Sequence, residues 1–277
     1  MTVAVIVAIA ALAASPATPA AQPAPAASTP AATAQPVAPA MLGAPAPPDG
    51  TYSYDLSVAG QVTTSTIKVE RKADGLHITD NSDLTGHIVT ATLVLNAASL
   101  APASYAATYD VGTEHSQDVS ISFGTSVASV NTFGQQTTLA AQPGAPHMVL
   151  LDGALPSGFF ALPAMAAAAR DTSLTAINAG ALAAVIVSLN RSISVPRPAG
   201  VPSDDVAVSV VSPTAFSIWY NPKTFVMHEL DVPLQNVTEK FIKYVAAVGA
   251  PSAVASARRG EVGRNARYDA AVMIARY

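Results

Sequence analysis

Between residues 52 and 232, apolar and polar side chains alternate in short runs separated by turn residues. Tyr52, Tyr54, Leu56 and Val58 alternate with Ser53, Asp55 and Ser57, the period-two pattern of a half-buried strand. In the run 62–71, Ile67 and Val69 alternate with Lys68 and Glu70. Asp74-Gly75 follows and supplies the positive φ of a tight hairpin back to 76–79. The same reading places strands at 87–96, 104–111, 117–123, 126–132, 135–141 and 147–151, with a glycine at most breaks. Turn signals about every 8–12 residues predict an antiparallel meander. No stretch in this half is long and helical enough for a parallel crossover.

The pattern changes at Pro-Ser-Gly-Phe-Phe-Ala-Leu-Pro-Ala-Met-Ala-Ala-Ala-Ala-Arg-Asp, residues 156–171. It predicts one alanine-rich helix over about 157–170, with Ser157 as N-cap, Pro163 in the first turns and Arg170-Asp171 at the close. Alanine keeps such a helix thin, so it can lie close to a concave sheet. Strands resume at 173–178 and at 183–194, where Val185-Ile186-Val187 is β-branched. Three more follow at 206–211, 215–220 and 225–232. Val237, Phe241 and Val245 then recur at helical spacing, so 235–248 reads as a short amphipathic helix.

A curved sheet with one apolar face must cover that face. The expected fold is therefore mainly β: a curved antiparallel meander, a half-barrel or open barrel, around the single helix. It occupies residues 49–248 as one domain. Before it, residues 1–14 form an apolar run of signal-peptide length, with small residues at Ala11-Leu12-Ala13 and no Lys or Arg ahead of the run. This predicts export, to a periplasm, a cell surface or the medium. Residues 15–48 hold ten of the 22 prolines among Ala, Thr, Ser and Gln, and read as a disordered Ala/Pro-rich linker. Residues 249–277 lose periodicity and form a loose basic tail.

Composition narrows the chemistry. Half of the 277 residues are apolar, enough for a sizeable core, while only 12% are charged. The net charge is −4; the tail's five arginines stand against Glu261 and Asp269, which leaves −7 for the rest. A body of that sign has no electrostatic reason to bind nucleic acid. With no cysteine, disulfide, zinc-thiolate and thiol chemistry are excluded.

Candidate chemistry is sparse. None of His77, His87, His115, His147 and His228 has a partner at metal-ligand spacing. Ser157 lacks the first glycine of a nucleophile elbow, and Asp204-Asp205 reads as a turn. No glycine-rich nucleotide loop is present, so no metal, cofactor or catalytic residue is assigned. The aromatics say more. Phe216, Ile218 and Tyr220 share one strand face, with Trp219 on the other, and Phe225 and Met227 continue the pattern. Together with Phe159, Phe160 and Met165 of the helix they form either an ordinary core or the lining of an apolar ligand pocket.

The order of a strand meander, an inserted helix and strands ending in Trp219-Tyr220-Asn221-Pro222-Lys223-Thr224 resembles bacterial envelope half-barrels. These are the lipoprotein carriers of the LolA/LolB type and their uncharacterised periplasmic relatives. The resemblance spans about residues 50–234. It implies a curved antiparallel sheet that wraps helices and encloses an apolar cavity for acyl chains; it carries over no individual site residue. Three functions are compatible with the chain. One is an exported, non-enzymatic module that binds an apolar or lipid-like ligand in the cell envelope. Another is an envelope or surface module that presents a sheet edge to a partner protein. The third is a hydrolase with a non-standard site, which requires His and carboxylate groups to cluster in three dimensions.

Overall fold

The computed structural model describes residues 46–247, apart from 84–86, 112–113, 133, 152–155, 191–194 and 213. The predicted leader, the linker to residue 45 and the basic tail lie outside the described residues. The first half of the chain runs β1 (Gly50–Val58), β2 (Gln61–Lys72), β3 (Gly75–Asp83), β4 (His87–Leu95), β5 (Pro102–Val111), β6 (Glu114–Phe123), β7 (Val127–Thr132) and β8 (Gln135–Ala140). Then come β9 (Met148–Leu150), helix α1 (Pro156–Ala169), β10 (Ser173–Asn178), β11 (Ala183–Asn190), β12 (Val206–Ser212), β13 (Phe216–Tyr220), β14 (Met227–Val232) and β15 (Val237–Ala246). A 3-10 turn at Pro233–Gln235 joins the last two strands.

All fifteen strands belong to one sheet, in the order β8-β7-β6-β5-β4-β3-β2-β1-β15-β14-β13-β12-β11-β10-β9. Two meanders meet at the β1–β15 ladder, and both edges, β8 and β9, are consecutive in sequence. That connectivity forces curvature. Fifteen flat strands would measure roughly 65–70 Å from edge to edge. The connection from Ala140 to Met148 reaches about 25–30 Å at most. The sheet therefore curls until its two ends approach. It does not close: β8 and β9 share no ladder. The connection is instead tied down by Thr175, whose hydroxyl donates to the Ala145 carbonyl at 2.6 Å and accepts from the Gln142 N–H at 2.9 Å.

Helix α1 fills the hollow. Its apolar residues ring it rather than forming one stripe, as befits a helix with neighbours on every side. Phe159, Phe160, Ala161, Leu162, Ala164, Met165 and Ala166 are all buried, and the helix touches β2, β3, β4, β9, β13 and β14. Phe160 packs between Tyr52 (5.2 Å) and Tyr54 (6.3 Å), and Phe159 meets Phe216 edge-on at 5.1 Å. Gly158 permits the approach to β9: a Cβ there would lie 2.7 Å from the Leu150 carbonyl oxygen. The mainly antiparallel, curved sheet around one helix is thus present as the alternation predicts. The single parallel pair is β9–β10, and α1 is its crossover.

Two local expectations are corrected. The segment 235–248 is no helix but contains β15, which pairs with β1 along its whole length. Ser157 is no N-cap: it lies inside α1, its Oγ is buried without a hydrogen bond among the described residues, and its N–H points to Asp80 of β3.

Candidate functional site

An opening lies at the C-terminal end of α1, at the rim of the curled sheet. Each wall has a local cause. Asn96 ends β4 by folding its side chain back: Oδ1 accepts from the N–H groups of Ala98 (2.9 Å) and Ser99 (3.1 Å). The turn carries Leu100 into a left-handed conformation, φ 55°, and buries its side chain. Opposite, Arg170 stops the helix at φ 61°, its N–H bonded to the Ala166 carbonyl at 3.1 Å. The β6–β7 turn, closed by Gly124 N–H to Val127 O at 2.7 Å, and the start of β9 complete the frame.

Between them is a cleft of about 740 Å3. Leu100, Phe123, Met148, Val149, Met165 and the run Ala167–Ala169 make its walls mostly apolar. The alanines matter by their size, because each leaves a gap that a larger side chain would fill. Polar groups collect around Arg170 and His147, and His147 Nδ1 lies 2.5 Å from Asp171 Oδ2.

Seven of the eight residues predicted from sequence do not line this opening. Phe159, Phe160, Phe216, Ile218, Phe225 and Met227 are buried in the core, and Tyr220 is half-buried against Phe225 at a ring distance of 5.7 Å. Met165 is buried as well, and of the eight it alone lines the cleft. The pocket walls come instead from loop residues and alanines, types whose sequence signal is a turn or a helix rather than a ligand.

Two carboxyl groups that sequence reasoning passed over lie in the concave core. Asp80 is fully buried; it accepts from the Ser82 hydroxyl at 2.5 Å and from the Ser157 N–H at 3.3 Å. Its carboxyl caps the start of α1 from across the sheet. Burial raises its pKa from 3.8 to about 7, against those two hydrogen bonds. Glu239 of β15 is equally buried, and neither carboxyl oxygen has a hydrogen-bond partner among the described residues. Burial, and next the neighbouring Asp80, push its pKa well up, while the Ser65 hydroxyl opposes the shift.

A second, smaller feature lies beside residues 199–202. Arg197 lies 4.9 Å from the centre of the Trp219 ring and donates to the carbonyls of Pro202 and Asp205, the latter at 3.1 Å. It thereby straps residues 195–205 over β13–β15. Asp205 is buried; its Oδ2 lies 2.5 Å from His228 Nδ1, and its Oδ1 has no partner among the described residues. Glu229, also buried, sits 4.0 Å from the Lys240 ammonium. A crevice of about 290 Å3 remains between the strap and these side chains. Among the described residues no group of three or more His, Asp or Glu could hold a metal ion, and no helix is long and apolar enough to cross a membrane. No family model matches the chain, and neither a curated protein nor a solved structure does.

Proposed function

We propose that the chain is a non-enzymatic binding module, exported to the cell envelope, that takes one apolar, lipid-like ligand in the cleft at the C-terminal end of α1. The carrying observation is the cleft itself: about 740 Å3, walled mainly by apolar side chains, six alanines among them, at the open end of a curled sheet. Its volume falls within the ~300–1,000 Å3 of ordinary small-molecule sites. The apolar run at 1–14 and the Ala/Pro-rich stretch after it support an exported, tethered domain. The LolA/LolB-like order of elements agrees with an acyl-chain ligand. Native mass spectrometry of the purified full chain tests the reading. A copurified species of lipid mass, released by organic solvent, is expected. A consistently bare protein that also takes up no added fatty acid contradicts it.

One observation favours a partner-protein reading as an alternative. The β14 ladder reaches only Lys240 of β15, so among the described residues 241–246 pair with β1 on one side alone. Ile242 and Val245 are exposed along that stretch. Such an edge accepts an added strand. Crosslinking from Lys243 to an envelope protein, lost in Val245→Pro, is the outcome that favours this reading.

A further inference from the structure

The crevice beside the 199–202 segment belongs to neither reading above. Glu229 of β14 and Lys240 of β15 stand opposite each other in the register and line it, alternating with the core residues Leu230 and Glu239, while Trp219 of β13 lies next to Glu229 under Arg197. Its far wall is the Ala199–Pro202 part of the strap, held in advance by Arg197. Asp205 occupies His228 Nδ1, which leaves Nε2 as the ring nitrogen available to the crevice. The Phe241 ring meets the imidazole edge-on at 5.2 Å and fixes its tilt. Glu229 is buried at the crevice wall, and a buried carboxylate is costly unless something uses it.

We propose that this crevice binds a small neutral polyhydroxylated ligand, a single sugar unit. Neither charge dominates: Lys240 stands against Glu229, so a small ion of either sign meets a like charge. Vicinal hydroxyls suit a mixed set, donating to Glu229 and His228 Nε2 while accepting from the three Lys240 donors. About 290 Å3 sits at the lower end of the ~300–1,000 Å3 range for ligand sites, the scale of one ring rather than a chain. The alternative role for these groups is to pin the strap alone.

Trp219 does not line the crevice and lies under Arg197, so binding is read by isothermal titration calorimetry rather than by fluorescence. The full chain is titrated with glucose, galactose and N-acetylglucosamine, and separately with sodium phosphate and spermidine. A saturable response to at least one sugar is expected, weakened tenfold or more in Lys240→Ala and in Glu229→Gln. Lys240 is exposed, so its variant should keep the wild-type circular dichroism spectrum. The proposal is overturned by no saturable response to any of the three sugars. Sugar affinity unchanged in both variants, or a stronger response to phosphate or spermidine, overturns it equally.

Discussion

At the scale of single residues, the most consequential side chain is Asp80. It is a carboxyl in an apolar hollow, and it holds the first turn of the helix. Its pKa is raised in the folded protein, from 3.8 to about 7, so the folded state binds its proton more tightly. The stability linked to this proton is complete below about pH 4 and is lost as pH climbs through about 7. A shift of that size is worth on the order of 4 kcal/mol. Glu239, also raised, acts with the same sign. Denaturant midpoints of wild type and Asp80→Asn are therefore expected to diverge with pH: relative to the variant, wild type weakens from pH 4.5 to 7.5. Parallel profiles would show that the carboxyl does not titrate in that window. Asn221 offers a second residue-scale test. Its Oδ1 accepts from the N–H groups of Lys223 (3.0 Å) and Thr224 (3.2 Å), and the turn ends with Phe225 at φ 57°. Asn221→Ala should cost about 1–2 kcal/mol in urea unfolding, since both donors lose their acceptor and the strained φ loses its support.

At the scale of elements, α1 and β15 show what periodicity conveys and where it misleads. The helix is legible because a continuous apolar run with four successive alanines fits no half-buried strand. Its central position follows: Phe160→Ala should destabilise by about 3–5 kcal/mol, because the ring is buried between two tyrosines. Unchanged thermal unfolding would place the helix outside the core. β15 is misread for a specific reason. The β1–β15 register slips between Ser53 and Tyr54, and Ile242 is the extra residue. Val237, Glu239 and Phe241 face one way, then Tyr244 rather than Lys243 resumes that face against Tyr52. A bulge thus turns period two into an apparent helical spacing of Val237, Phe241 and Val245. A glutamate on the core face erases what alternation is left. Asp80 hides in a related way: the polar run Asp80-Asn81-Ser82-Asp83 has no apolar alternation, so the strand read from sequence stops at Thr79, yet the run is the second half of β3, with Asp80 and Ser82 facing the core.

At the scale of the whole molecule, the sheet's curl follows from topology alone, since a short connection must join the two edges of fifteen strands. The open cleft is a consequence of that curl and of the small residues at the end of α1. It is nearly invisible in sequence, because alanine and loop residues carry no signal of a ligand; the bulky aromatics that do carry one are spent on the core. The cleft and the core are also separable by mutation. Ala168 lines the cleft and is only half-buried, so Ala168→Trp fills the opening while leaving Phe160 and its tyrosines untouched. The most direct measurement is the titration of a fluorescent long-chain fatty acid into the full chain and into Ala168→Trp, with thermal unfolding of both as control. Saturable one-to-one binding in wild type, lost or weakened at least tenfold in a variant of similar stability, is the predicted result. Absence of binding in wild type, or equal binding in both proteins, would contradict the assignment of the cleft as a lipid site.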